Sequence, residues 1–411
     1  MWVGGVYLLI IGVMTLPNPL RLTRELIGDS VDNWIFYWNN WWLGKAIQEG
    51  LPWFETSYLF YPTKTSLVAH SNSFLSSLLA LPLEWLAGPI AAYNMVFLSG
   101  LWIGAMGMFL LLYEMTHRIS AALLAGFVFA FAPYHLTQLL AHAHLGSIHW
   151  WPFFALFLSR LTRTRRLVDA LAAGVFASLT VWSGFQLGLL LAVWTGLYVL
   201  LRLLRTIWSD DESPVSPLQL MALIGLTAGV ALLLSAPIIV PVAKARSSLA
   251  NAAASFSEST IKQTDLLAYL LPPRRHPLVG SYVVDLYARF VANKVASPYL
   301  GYTVVGLALL SVVTRQKGAG FWFLATVFSM VLAAGSMLRV NGVLYPHVRL
   351  PYSAIDSVFP ISSIRAPDRY NLLVVFSLAV SCGLGGAYLA EKRRWLLVPL
   401  GLLICLEFLP I

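Results

Sequence analysis

Charge is scarce in this sequence. Asp, Glu, Lys and Arg together make up 11% of the 411 residues, where a soluble domain carries about 25%. Hydrophobic residues reach 58% and the mean hydropathy is +0.74, so the chain reads as an integral membrane protein. Cysteine is nearly absent as well: Cys382 and Cys405 both fall inside apolar runs, which excludes a disulfide framework and a cysteine metal-ligand spacing. No G-x-x-x-x-G-K-[ST], no G-x-G-x-x-G after a strand and no G-x-S-x-G occurs. ATP-driven transport and serine hydrolysis lose support accordingly. Ionisable residues deep in the apolar runs are few, Asp169 and Glu407 lying near run ends, whereas proton- or ion-coupled transporters keep some at mid-membrane.

A spanning helix needs about 20 apolar residues, and on that rule the sequence predicts an all-α polytopic bundle of about eleven spans. They fall near residues 2–16, 89–113, 119–134, 148–161, 167–183, 185–204, 219–242, 299–314, 319–338, 371–390 and 395–411. The run from Trp2 lacks a basic leader and a small-residue cleavage site, which makes it an anchor rather than a signal peptide. Phe74 to Gly88 is short and carries Pro82 and Glu84, which suits an interfacial or re-entrant segment.

The net charge of +9 comes from bases in short clusters between apolar runs, not from one stripe, so it signals topology and not nucleic acid. His117-Arg118, Arg163 to Arg166, Arg202 with Arg205, Arg315 to Lys317 and Lys392 to Arg394 all fall on one side if Phe74 to Gly88 does not span. Basic loops stay cytoplasmic. The other side then receives extracytoplasmic loops at 17–73, 243–298 and 339–370, plus a shorter one near 135–147. The acidic SDDESPVSP at 209–217 reads as a cytoplasmic loop. With no internal repeat and no linker, one membrane domain over 1–411 is expected in the cell (cytoplasmic, inner) membrane. Because the sequence stops inside the apolar run LLICLEFLPI, a longer natural protein with a soluble C-terminal region is also expected.

Between the first two runs stands GDSVDNWIFYWNNWW, residues 28 to 42. Wound at 100° per residue, it places Asp29, Asp32, Asn33, Phe36 and Asn40 on one side and Trp34, Ile35, Trp38, Trp41 and Trp42 on the other. The pattern predicts an amphipathic helix lying at the membrane surface, its aromatic face in lipid or on the bundle and its carboxylates toward water. Asp29 and Asp32 then flank a site at the lipid surface; alternatively they cap the helix and complement its dipole. The aromatic, turn-rich stretch from Gly50 to Phe74, which contains His70, follows on the same surface.

Two further clusters face that side. PYHLTQLLAHAHLGSIHWWP at 133–152 holds His135, His142, His144 and His149. Structural hydrogen bonding ranks first for these rings, substrate contact second and metal ligation third, because His142 and His144 diverge on a helix and no cysteine joins them. IRAPDRY at 364–370 places Arg365 and Arg369 four apart at a helix start opened by Pro367. Backbone N–H groups there favour anions, and arginine's planar fork suits phosphate. Anchoring to lipid phosphates, or an ion pair with Asp368, is the competing use. PPRRH at 272–276 is a weaker anion candidate.

Taken in order, GDSVDNWIFYW, FYPTKTSLVAH, AHAHLGSIHWWPF and IRAPDRY resemble segments of the GT-C membrane glycosyltransferases, in particular bacterial members related to the dolichyl-phosphate-mannose and aminoarabinose transferases. The resemblance implies transfer of a sugar from a polyprenyl-phosphate donor to an extracytoplasmic glycan, lipid or protein acceptor, with inversion. It implies a catalytic acid in the first outer loop, which maps onto Asp29 or Asp32, with Asp29 preferred. Arg365, Arg369, His70, His142 and His144 are the expected substrate-binding residues. Lys64 stands where glycine is expected, a departure that bears on the acceptor. No cofactor is required by the residues; a divalent ion enters only if Asp29, Asp32 and His142 converge. A lipid or polysaccharide transporter, or a noncatalytic assembly subunit, is the alternative.

Overall fold

The computed structural model describes residues 2–28, 32–68, 70–208, 217–245, 261–292, 296–358, 360–364 and 366–409. Asp29 and Arg365 lie outside the described residues. The helices are α1 (Trp2–Met14), α2 (Asp32–Glu49), α3 (Phe74–Ala87), α4 (Pro89–Thr116), α5 (Ile119–Phe131), α6 (Pro133–Ala141), α7 (Ala143–Gly146), α8 (Trp151–Thr164), α9 (Leu167–Ser183), α10 (Phe185–Trp208), α11 (Pro217–Lys244), α12 (Gly280–Ala288), α13 (Tyr302–Val313), α14 (Ala319–Ala333), α15 (Asn371–Lys392) and α16 (Leu397–Glu407).

The bundle is organised around α15, whose sequence is apolar on every side. A helix without a polar face must be surrounded, and α15 packs against α5, α13 and α14, with 94% of its spanning window buried by protein. Close approach depends on its small residues: a Cβ on Gly385 would overlap the Leu307 carbonyl oxygen of α13, and one on Gly383 would overlap Leu112 Cδ2 of α4. Where lipid is as apolar as leucine, backbone proximity of this kind is what holds helices together.

Among the described residues, four helical stretches are long and apolar enough to cross a membrane: Pro89–Thr116, Phe185–Leu204, Leu218–Lys244 and Pro367–Lys392. A fifth arises if α5 and α6, bent by 43° at their junction, count as one span. The expected count of about eleven is not reached. Several of the remaining apolar runs fold as helices of 12 to 17 residues, short of the roughly 20 a perpendicular crossing requires. Phe74 to Gly88 belongs to this group, forming α3 with Pro82 inside it.

Helix α2 forms as expected, and its asparagine side is the one that packs on the protein. Asn33 is 2% exposed and Trp34 is 64% exposed. The buried residues of α2 include Asn33, Phe36, Asn39 and Asn40, the polar side being held by hydrogen bonds: Asn33 Nδ2 donates to Ile27 O at 3.3 Å and Asn39 Nδ2 to Ser71 O at 2.7 Å. Trp42 alone among the tryptophans of α2 is fully enclosed, in a small cluster with Ala46 and Leu67. The chain after α2 forms a short hairpin, β1 (Glu55–Thr56) with β2 (Thr65–Ser66). A second antiparallel pair, β3 (Met337–Val340) with β4 (Val343–Arg349), turns at Asn341-Gly342. Asn-Gly between alternating residues is a strong hairpin signal, and it lies within the loop expected at 339–370.

The basic clusters gather at one end of the bundle. Glu114 near the end of α4 pairs with Arg160 at 2.8 Å and Arg163 at 3.1 Å, and Arg118 pairs with Glu391 at 3.6 Å. Arg202 donates to Thr162 at 3.1 Å.

Candidate active site

At the opposite end, four stretches distant in sequence meet. The first is fastened by Asn94 of α4, a fully buried side chain: Nδ2 donates to Leu22 O at 2.8 Å and Glu25 O at 2.7 Å, while Oδ1 accepts from Ile27 N at 2.8 Å. One side chain thus holds three backbone groups of the loop that leads into GDSVD. Gly28 follows with φ +111°, and a Cβ there would overlap Asn33 Nδ2 and the Leu140 carbonyl oxygen of α6. Only glycine fits a positive φ and so close an approach. The loop is thereby pressed onto the end of α6.

That contact sets Asp32, the first residue of α2, beside His142, which caps α6. Asp32 Oδ2 lies 3.2 Å from His142 Nε2. His142 responds to three charges: burial lowers its pKa first, the Asp32 carboxylate raises it, and the cations Arg369 and Lys262 lower it further. Asp32 from the first loop and Arg369 from the last therefore act on one imidazole. His144, two residues on, stacks obliquely on Phe36 with ring centres 5.1 Å apart. Burial, then Arg369, His142 and His70, push its pKa well below the ordinary 6.5. His70 is placed by Asn39, whose Oδ1 is 3.0 Å from His70 Nε2, and burial lowers its pKa too. Uncharged rings flanked by one acid and fixed cations can pass hydrogen bonds without adding positive charge.

Arg369 sits in a 3-10 turn, Pro367–Tyr370, that runs into α15. It donates to Gln186 Oε1 at the start of α10. The same turn is tied to the loop before it: Asp368 N donates to Lys262 O at 3.1 Å, and Asn371 links Thr264 at 2.8 Å to Tyr269 at 2.7 Å. Behind Phe36 and Asn40, a cavity of about 40 Å³ extends to Ala143 and His149. It has room for a few waters, each needing at least about 10–15 Å³, and not for a sugar.

The structure brings together Asp32, His142 and His144, and Arg369 and His70 both bear on the pKa of His144. His135 serves the scaffold instead, its ring nitrogens each 2.8 Å from a backbone carbonyl, of Phe129 and of Gly146. In PPRRH, His276 likewise bonds Leu406 O at 2.7 Å. Sequence reasoning missed Asn94 and Gln186, a polar residue within and one at the start of an apolar helix. An asparagine inside the run PIAAYNMVFLSG was the available signal, since buried amides in such runs need partners. The metal expectation finds two donors, Asp32 and His142; among the described residues no group of three or more His, Cys, Asp or Glu side chains could hold an ion.

No protein-family model matches the chain, and no curated protein is significantly similar to it in sequence. Among solved structures it is similar to the archaeal oligosaccharyltransferase AglB from Archaeoglobus fulgidus, solved with an inhibitory peptide and a dolichol-phosphate, with TM-score 0.52 and 14% identity. The match covers 99% of this chain and 54% of that one, so the chain spans about half the length of that protein. The identity is low enough that the likeness concerns the fold alone.

Proposed function

We propose that the protein is a membrane glycosyltransferase that moves a sugar from a polyprenyl-phosphate donor to an extracytoplasmic acceptor, a glycan, lipid or protein. The observation that supports it is the 3.2 Å contact of Asp32 with His142, a ring whose pKa the cation Arg369, 337 positions from Asp32, also lowers. In this reading the acceptor hydroxyl attacks the anomeric carbon, the bond from that carbon to the phosphate oxygen breaks, and the hydroxyl proton passes to a carboxylate. Asp32, with Asp29 close by in sequence, is the base; His142 orients the Asp32 carboxylate through its Nε2. Arg369 and Arg365 hold the phosphate, which leaves as an anion and needs charge stabilisation more than protonation. His70 and His144 contact the sugar. One in-line displacement inverts the anomeric centre.

The basic clusters at the other end of the bundle fit the cytoplasmic side of a cell membrane, which turns the site outward. An enzyme that used neither acid would be indifferent to their removal. Transfer from a labelled polyprenyl-phosphate sugar in membranes, measured for Asp29→Asn, Asp32→Asn and the double variant, tests the reading. Undiminished transfer by the double variant overturns it.

A further inference from the structure

The end of the bundle far from Asp32 holds a larger hollow, one that the transfer reaction does not use. It measures about 320 Å³ and lies between α4, α8, α10 and the turn into α14. Its rim carries Arg163, Arg202 and Lys317, and its inner wall is aromatic, with Trp194, Tyr198 and Trp322. α10 joins the two ends: from Gln186, the partner of Arg369, to Arg202 is sixteen residues, about 24 Å at 1.5 Å per residue. The two places are therefore separate.

Charge and shape both restrict what the hollow can take. Among the described residues, Arg160 and Arg163 share one carboxylate, Glu114, at 2.8 and 3.1 Å, and exposed Lys317 stands on the same rim. Arg202 is fixed in place, since its guanidinium carbon lies 5.9 Å from the centre of the Tyr198 ring and its Nη2 donates to Thr162, which in turn is 3.0 Å from Tyr198 Oη. Topology alone asks only that bases lie on this side. It does not ask that they turn onto one hollow or that the wall beneath them be aromatic. A ligand matched to this lining has an anionic head for the rim and an apolar stem for the wall. About 320 Å³ is at the lower end of the range for small-molecule sites, enough for a phosphate ester and its first carbons and too little for a whole lipid.

We infer that this hollow binds the phosphate headgroup of an anionic membrane lipid, with the chains continuing outside it along the bundle. Basic pockets between spanning helices on one leaflet are suited to this use. The inference does not depend on the proposed sugar transfer.

The test uses the full chain in nanodiscs and in detergent. Bound lipid is counted by native mass spectrometry after exposure to phosphatidylglycerol or to phosphatidylcholine, with inorganic phosphate as competitor. Phosphatidylglycerol is expected to be retained over phosphatidylcholine, and inorganic phosphate at equal concentration to leave it in place. Each lost base is expected to weaken retention by about five-fold, for exposed Lys317→Gln and for Arg202→Gln alike, with Arg202→Lys largely restoring it and Asp32→Asn leaving it unchanged. Lys317→Gln decides the matter if Arg202→Gln does not fold. Equal retention of the two lipids, no loss in Lys317→Gln, or displacement by inorganic phosphate at equal concentration overturns the inference, the last by assigning the hollow to a free phosphate ester.

Discussion

Asn94 Oδ1 accepts a hydrogen bond from Ile27 N at 2.8 Å, across 67 positions of sequence. Together with its two donated bonds to Leu22 and Glu25, this makes one amide in α4 the fixing point of the acidic loop. Asn94→Ala leaves buried backbone groups without partners, at about 1–3 kcal/mol for the first. A loop shifted by about 1 Å costs on the order of 100-fold in a positioned reaction. We expect Asn94→Ala to lower transfer by about that factor while the bundle still assembles, as judged by gel filtration.

Asp32 and His142 form the pair whose separation is 3.2 Å. Loss of a general base typically costs about 10²- to 10⁴-fold, so Asp32→Asn is expected to fall in that range if Asp32 is the base. His142→Gln keeps a hydrogen-bond donor and is expected to lose only about ten-fold, since it orients the base rather than acts as one. Equal losses in the two variants would assign the proton to the imidazole. Initial rates at saturating donor make the distinction.

Acidity should act through the same rings. The pKa values of His70, His142 and His144 are all lowered, chiefly by burial. A depressed folded value means that the unfolded chain takes up protons the folded chain refuses, so stability is fully present above the ordinary 6.5 and declines as pH falls toward the folded values. Thermal unfolding in detergent should therefore occur at lower temperature at about pH 5.5 than at about pH 7.5. His144→Gln removes one of these groups and should narrow the difference; an unchanged difference would remove His144 as a contributor.

Gly385 lets α15 touch the backbone of α13, because any Cβ at that position would run into Leu307 O. Overpacking a close-packed core typically costs about 1–3 kcal/mol. Gly385→Val is expected to lower the unfolding temperature clearly, while Gly401→Val in α16, where a Cβ meets nothing within 4 Å, should leave it nearly unchanged. The pair of melting curves checks this.

Hydropathy alone was enough to identify a helical membrane protein, to locate α4, α10, α11 and α15, and to group the basic clusters on one side. The helix after the first run was legible as well, because Trp and Asn alternate at helical spacing. Which of its faces turns inward was not, since periodicity defines two faces without saying what waits for either. Burial of Asn33 and Asn39 is decided by carbonyls of Ile27 and Ser71, partners that come into place only when the loop has folded.

Span length was likewise only partly readable. Composition marks apolar residues, but the helix boundaries that shorten α1, α3, α13 and α14 to 12 to 15 residues arise from turns and from packing against neighbours. The hydrophobic code is local, and the sequence by itself determined what kind of solvent surrounds this chain and where its acids, arginines and histidines lie along it. That residues 32, 142 and 369 share one electrostatic environment was decided by the tertiary structure, because α15 must be enclosed on every side and Asn94 must find its three backbone partners.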